Sequence, residues 1–175
     1  MITGSNCLTI PGFDVKRIPE YSRSECVSQI AQVSRYLSHT KSIVVAGMWL
    51  YHYESSAFLH ALENFLTIAS KKGQHAIVLA QIPMVNLNIQ RVLRFNEIGL
   101  PQHIVKNINW GIANSKIKDI CEKYSSVEFV DLSSIELFRN VPFEKNKMIY
   151  HDGHHLNEIG AARYGAVAAS LFSDI

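Results

Sequence analysis

Apolar residues along the chain recur at two alternating periods. From Ser24 to Ser38, Val27, Ile30, Val33 or Ser34, and Leu37 follow at steps of three and four, with Gln29, Gln32 and Arg35 on other faces, which predicts a helix. Ser42-Ile-Val-Val-Ala-Gly47 is a continuous apolar run rich in β-branched residues, the pattern of a strand buried on both faces. Glu54 to Lys72 is again helical, with Phe58, Leu62, Phe65 and Leu66 on one stripe and Gly73 as a stop. Ala76 to Ile82 is a second buried strand, ended by Pro83. Asn86 to Leu100 reads as a loop with a short helix around Ile89 to Phe95. Gln102 to Tyr124 is predicted as one long helix on Ile104, Val105, Ile108, Ile112, Ile117 and Ile120, with Gly111 a weak point at its middle. Val127 to Asp131 is a third strand, and Lys147 to Tyr150 is a fourth or an extended segment. The last helix runs from about Glu158 to Phe172, with Asn157 as its N-cap.

Strands separated by helices imply parallel pairing with helices on both faces: a three-layer, doubly wound, mostly parallel α/β sheet. Ligands in such sheets bind beyond the carboxyl ends of the strands. That points to Gly47-Met48-Trp49, Pro83-Met84-Val85, Asp131 and the loop before the last helix. At 175 residues, without repeats or linkers, residues 1–175 are expected to form a single domain.

Composition narrows the function classes. With 47% hydrophobic and 18% charged residues, the chain has ample material for a core and is not intrinsically disordered. A net charge of +2 leaves no basic footprint for nucleic acid. No apolar run approaches the roughly 18 residues that cross a bilayer, and Met1 to Pro11 lacks the basic start and apolar centre of an export signal. Cys7, Cys26 and Cys121 form no zinc-type spacing, which leaves either three thiols or one disulfide and one thiol.

Tyr150-His-Asp-Gly-His-His-Leu-Asn-Glu-Ile-Gly160 carries the chemistry, with three of the eight histidines and an acid just before a capped helix. Asp152 and His155 stand three apart across Gly153. In a loop, that spacing lets the carboxylate reach the imidazole Nδ1–H, fix its tautomer and leave Nε2 as a general base. Two other readings stay open. One is a polar loop of solvated histidines. The other is a metal site made of His151, Asp152, His154 and His155, although adjacent residues seldom point at one ion.

Asp152 to Ala161 resembles the last block of SGNH hydrolases, Asp-x-x-His followed by Leu, a small polar residue and Gly-Ala. More specifically, it is similar to the SGNH domain fused to bacterial membrane acyltransferases of family 3, which modify cell-surface polysaccharides. Ile43 to Trp49 resembles that family's strand ending in Gly-x-Trp. Ile82-Pro83, with the basic stretch Gln90-Arg91 to Arg94, resembles its next strand and loop, and Cys7 and Cys26 resemble its paired cysteines.

The resemblance implies an SGNH/flavodoxin-like fold and serine-based acyl transfer or ester hydrolysis without cofactor or metal. It assigns His155 as base, Asp152 as its orienting acid, the Gly47 amide as an oxyanion donor and Trp49 as a wall of the acyl pocket. It further implies a disulfide between Cys7 and Cys26, a periplasmic location, an acylated glycan substrate, and an N-terminal membrane acyltransferase domain or chain as acyl supplier. A catalytically inactive glycan-binding module on the same scaffold is the alternative.

The sequence departs from the family in three places. It has no Gly-Asp-Ser; Ser5 is the only serine beside a glycine near Cys7 and follows no apolar strand. The family's Gly-x-Asn block is not evident after the second strand, where Asn86 and Asn88 do not follow a glycine, and Cys121 has no partner cysteine. The chain is therefore expected to be the C-terminal portion of the domain, lacking its first strand. Loss of a central strand would leave a slot between the two strands beside it, or the sheet would re-form around fewer strands.

Overall fold

The computed structural model describes residues 7–100, 104 and 106–172; Ser5 and the first residues of the helix predicted from Gln102 lie outside that set. The chain forms two compact units, one built from residues up to Leu79 with Ala113–Val130, the other from Ala80–Ile112 with the residues from Asp131 onward.

The first unit holds the parallel sheet. Strands β1 (Ser42–Val45), β2 (His75–Leu79) and β5 (Val127–Val130) lie in the order β1-β2-β5, all parallel. Val45 pairs with Val78, and Val78 with Phe129. β1 and β2 are thus hydrogen-bonded neighbours, and the slot expected between strands flanking a lost one is not present. Among the described residues β1 and β5 are the outer strands of this sheet, and Val44 on β1 is 45% exposed although its strand is apolar.

Helices α1 (Glu20–Leu37) and α2 (Ser56–Lys71) precede β1 and β2. α1 begins earlier than its apolar spacing predicts, with Pro19 at the N-cap. It is shallowly seated, with only Ser22 and Cys26 fully buried. α2 is capped by the Ser55 hydroxyl, which accepts from the Phe58 N–H, and its stripe of Phe58, Leu62, Phe65 and Leu66 is buried as the spacing predicts. Gly73, at φ +68°, ends it. The buried Gln74 amide then donates to the carbonyls of Leu37 and Thr40, both at 2.7 Å, tying the end of α1 to the start of β2. A disulfide joins Cys7 to Cys26 with Cα atoms 5.5 Å apart.

The helix predicted from Gln102 is shorter. Lys106–Asn107 forms β4, antiparallel to β3 (Met84–Val85) in the second unit. The Asn107 side chain then accepts from the Asn109 N–H at 3.0 Å, and α4 runs only over Asn109–Cys121. Local side-chain capping overrides the apolar period here, and Ile108 is left 74% exposed. The second unit also holds α3 (Ile89–Glu97), capped by Asn88, and the hairpin of β6 (Phe143–Glu144) and β7 (Lys147–Met148). That hairpin takes up Lys147-Met148, so the fourth strand expected from Lys147 to Tyr150 lies outside the parallel sheet. Lys145 and Asn146 make its two-residue turn, both at positive φ as such turns require. α5 (Glu158–Ala168) closes the unit, over a core of Val85, Ile89, Leu137, Phe138, Val141, Ile149 and Tyr150.

One histidine of the first unit is partly buried among aromatic rings. His52 lies against Phe13 and Phe58, with ring centroids 5.3 and 5.1 Å away, and its Nδ1 is buried without a hydrogen-bond partner. Burial, helped by the charge of Arg17, lowers its pKa to about 4 from 6.5. The unfolded chain therefore takes up this proton first. Stability is complete above about pH 6.5 and declines as pH falls towards 4, by up to about 3 kcal/mol from this group. Urea unfolding between pH 7 and 4 should show that loss, and the slope should flatten in His52→Leu.

Candidate active site

The functional stretch forms a tight hairpin in the second unit. Tyr150 bridges Leu156 in antiparallel fashion, and the His151 N–H donates to the His155 carbonyl at 2.8 Å. The base of this hairpin is fixed by the buried Tyr150, whose hydroxyl donates to the Pro83 carbonyl at 2.6 Å. Its tip is fixed by backbone, because the Val85 N–H donates to the Gly153 carbonyl at 2.9 Å. The approach is close enough that a Cβ on Gly153 would stand 2.6 Å from the Val85 carbonyl oxygen. Gly153 is therefore required by contact rather than by φ. Gly160 is similar, since a Cβ there would overlap the Ile149 carbonyl.

Asp152 organises the tip. One carboxylate oxygen accepts from the His154 and His155 N–H groups at 2.9 and 2.7 Å, and the other meets His155 Nδ1 at 2.7 Å. An ionised carboxylate only accepts, so the imidazole proton resides on Nδ1 and Nε2 carries the free lone pair. Partial burial, the largest single influence on Asp152, pushes its pKa up. The His155 bond, the two N–H bonds and the charge of His154 together outweigh it and hold the carboxyl at about 2. The carboxylate is therefore ionised throughout the physiological range. The His155 side chain is 63% exposed, so its free nitrogen is open to a reactant.

His154 lies against His155, ring centroids 4.1 Å apart, with Nδ1 3.5 Å from Asp152. Burial, and secondarily the charge of His155, lower its pKa against the pull of Asp152. Beside the hairpin, His151, Leu156, Asn157, Glu158 and Ile159 line an open recess of about 460 Å³. Asn157 is committed to structure: its side chain accepts from the Gly160 N–H and donates to the Met148 carbonyl.

The other two predicted site residues belong to the first unit. Gly47 follows β1 and is packed so that a Cβ would stand 2.8 Å from Leu8 and 3.1 Å from the Trp49 ring. Trp49 is fully buried, and its indole N–H donates to the Leu79 carbonyl at 2.9 Å. These surroundings are those of a core aromatic that backs the Gly47 turn. They correct the expectation of a pocket wall, because a ring with no exposed surface has none to offer an acyl group. Cys121 is buried without a disulfide partner, and burial pushes its thiol up to about 12, so it is inert.

The sequence profile of the family described as "SGNH domain (fused to AT3 domains)" matches residues 1–170. The chain belongs to this SGNH domain family. No curated protein matches the sequence. Among solved structures, the periplasmic domain of the lipopolysaccharide acetyltransferase of Salmonella ser. Paratyphi A is similar with a TM-score of 0.59 and 12% identity, over 86% of this chain and 62% of that one. A protein of Streptococcus pneumonia described as a candidate platelet activating factor is similar with a TM-score of 0.54 and 15% identity, over 75% of this chain and 59% of that one. At such identities the likeness is one of fold: α/β with a parallel sheet and helices. This SGNH chain spans about three fifths of the length of each of these neighbours. Among the described residues, no helix is long and apolar enough to cross a membrane.

Two outcomes follow from the Asp152 turn. Gly153→Ala should destabilise the protein by about 1–3 kcal/mol, the cost of an overpacked contact, measured by urea unfolding. A carbon-13 NMR titration should find Asp152 titrating near 2 and moving upward in His155→Ala. Because its folded pKa lies below the unfolded one, the stability it contributes is present above pH 4 and lost as pH falls towards 2.

Proposed function

We propose that this SGNH domain moves acyl groups, acetyl foremost, onto or off a cell-surface polysaccharide, with His155 as general base and Asp152 as the acid that orients it. The observation that carries the reading is the 2.7 Å bond between the Asp152 carboxylate and His155 Nδ1, which leaves Nε2 free and exposed. The chemistry needs a hydroxyl nucleophile. Nε2 takes its proton as the oxygen attacks the acyl carbonyl, and returns the proton to the leaving oxygen when the tetrahedral adduct collapses. The developing imidazolium is held by a carboxylate that never protonates in this range. In this reading Gly47 donates its amide to the oxyanion, an interaction worth roughly 3 kcal/mol in acyl-transfer sites.

The family profile spans residues of both compact units, which supports their acting as a single domain. Its description, together with the lipopolysaccharide acetyltransferase neighbour, supports a membrane acyltransferase domain as the source of acyl groups and a periplasmic location. The Cys7–Cys26 disulfide suits such an oxidising compartment. The absence of a Gly-Asp-Ser run favours a second reading, a glycan-binding module without turnover.

Hydrolysis of p-nitrophenyl acetate by the full-length gene product tests the first reading. His155→Ala should lower kcat by a factor on the order of 10³ or more, and Asp152→Asn by about 10² to 10⁴. Equal turnover in wild type and both variants overturns the base assignment. Glycan binding with no turnover in the wild type supports the binding module instead.

A further inference from the structure

We propose that Asp152, His154 and His155 form a binding site for a divalent transition-metal ion of the zinc class, and that this ion and the Asp152–His155 pair exclude one another. One carboxylate oxygen and one ring nitrogen from each histidine lie within 4.8 Å of one another. Bonds of about 2.0–2.2 Å around zinc place ligand atoms roughly 3.3–3.5 Å apart, so small side-chain rotations on this open turn bring the three onto one ion. His151, part of the four-residue set the sequence suggested, is not in the cluster.

The backbone needed for chelation is already formed. The His154 and His155 N–H groups hold the Asp152 carboxylate in place, and the Gly153 carbonyl is pinned to Val85, so the ion would order only three side chains. Two nitrogens and one oxygen select Zn²⁺, Cu²⁺ or Ni²⁺ over Mg²⁺ and Ca²⁺, which require oxygen shells. Three protein ligands from one turn leave the remaining positions to water.

The exclusion follows from His155. A neutral imidazole that ligates through Nδ1 carries its proton on Nε2, and so loses both its bond to Asp152 and its basic lone pair. Ligation through Nε2 uses that lone pair directly. On either route the proton stays on the ring and no oxidant or reductant is involved. Binding itself does not depend on the acyl-transfer reading; only its effect on the base does.

Calorimetric titration of the full chain with ZnCl₂ in a non-chelating buffer, with histidine proton–carbon NMR alongside, tests the proposal. The expected result is one saturable Zn²⁺ per chain, with the His154 and His155 ring signals shifting together and no binding of Mg²⁺ at the same concentrations. His154→Ala, which keeps both backbone bonds to Asp152, should weaken binding more than about tenfold. The NMR spectrum of that variant reports whether the turn is retained; should it be lost, His154→Gln, with an amide in place of the ring, is the variant to read. Absence of saturable binding, or binding unchanged by the His154 substitution, overturns the site.

Discussion

The Asp152 carboxylate accepts three hydrogen bonds inside four residues, and the rest of the candidate site depends on that arrangement. Two of the bonds shape backbone and one aims a side chain. The same charge therefore folds the turn and sets the imidazole tautomer. Loss of the charge would remove both at once. Support comes from below through Tyr150 and from the side through the Val85–Gly153 pairing, neither of which is charged. The turn is thus braced by neutral bonds and polarised by a single ionic group.

The sheet is organised by different forces. Its three parallel strands are joined by backbone hydrogen bonds and carry mostly apolar side chains, and Gln74 clamps α1 to the start of β2 with two carbonyl contacts. α2 sits deep and α1 shallow, and the partly exposed Val44 lies on the β1 edge. Parallel sheets normally have both faces covered, and Val44 departs from that pattern.

Much of this was legible in the sequence. Buried parallel strands announce themselves as continuous apolar runs, and Ala76–Val78 is buried as such a run requires, whereas in the equally apolar β1 only Val45 is buried and Val44 is exposed. The Asp152–His155 pair was legible because a three-residue spacing across glycine restricts what the two side chains can reach. What stayed hidden depends on partners distant in sequence. Nothing local marks Gly153 as the neighbour of Val85, or Tyr150 as the donor to Pro83. The false extension of α4 has a related cause. Its isoleucines keep helical period through Ile108, but the period says nothing of the Asn107 side chain that starts the helix at Asn109. Trp49 is hard to place for the opposite reason, since an aromatic after a strand suits a core and a pocket equally, and its full burial and its bond to Leu79 mark it as core.

Under the proposed acyl transfer, the exposure of His155 would bear on the fate of a reactive intermediate. A base that stands mostly in bulk solvent activates whichever hydroxyl reaches it first, and water is always the more abundant. The balance between passing an acyl group onward and releasing it as free acid then rests on how long the acceptor lingers beside the ring, making residence time the quantity that separates a transferase from an esterase on this scaffold.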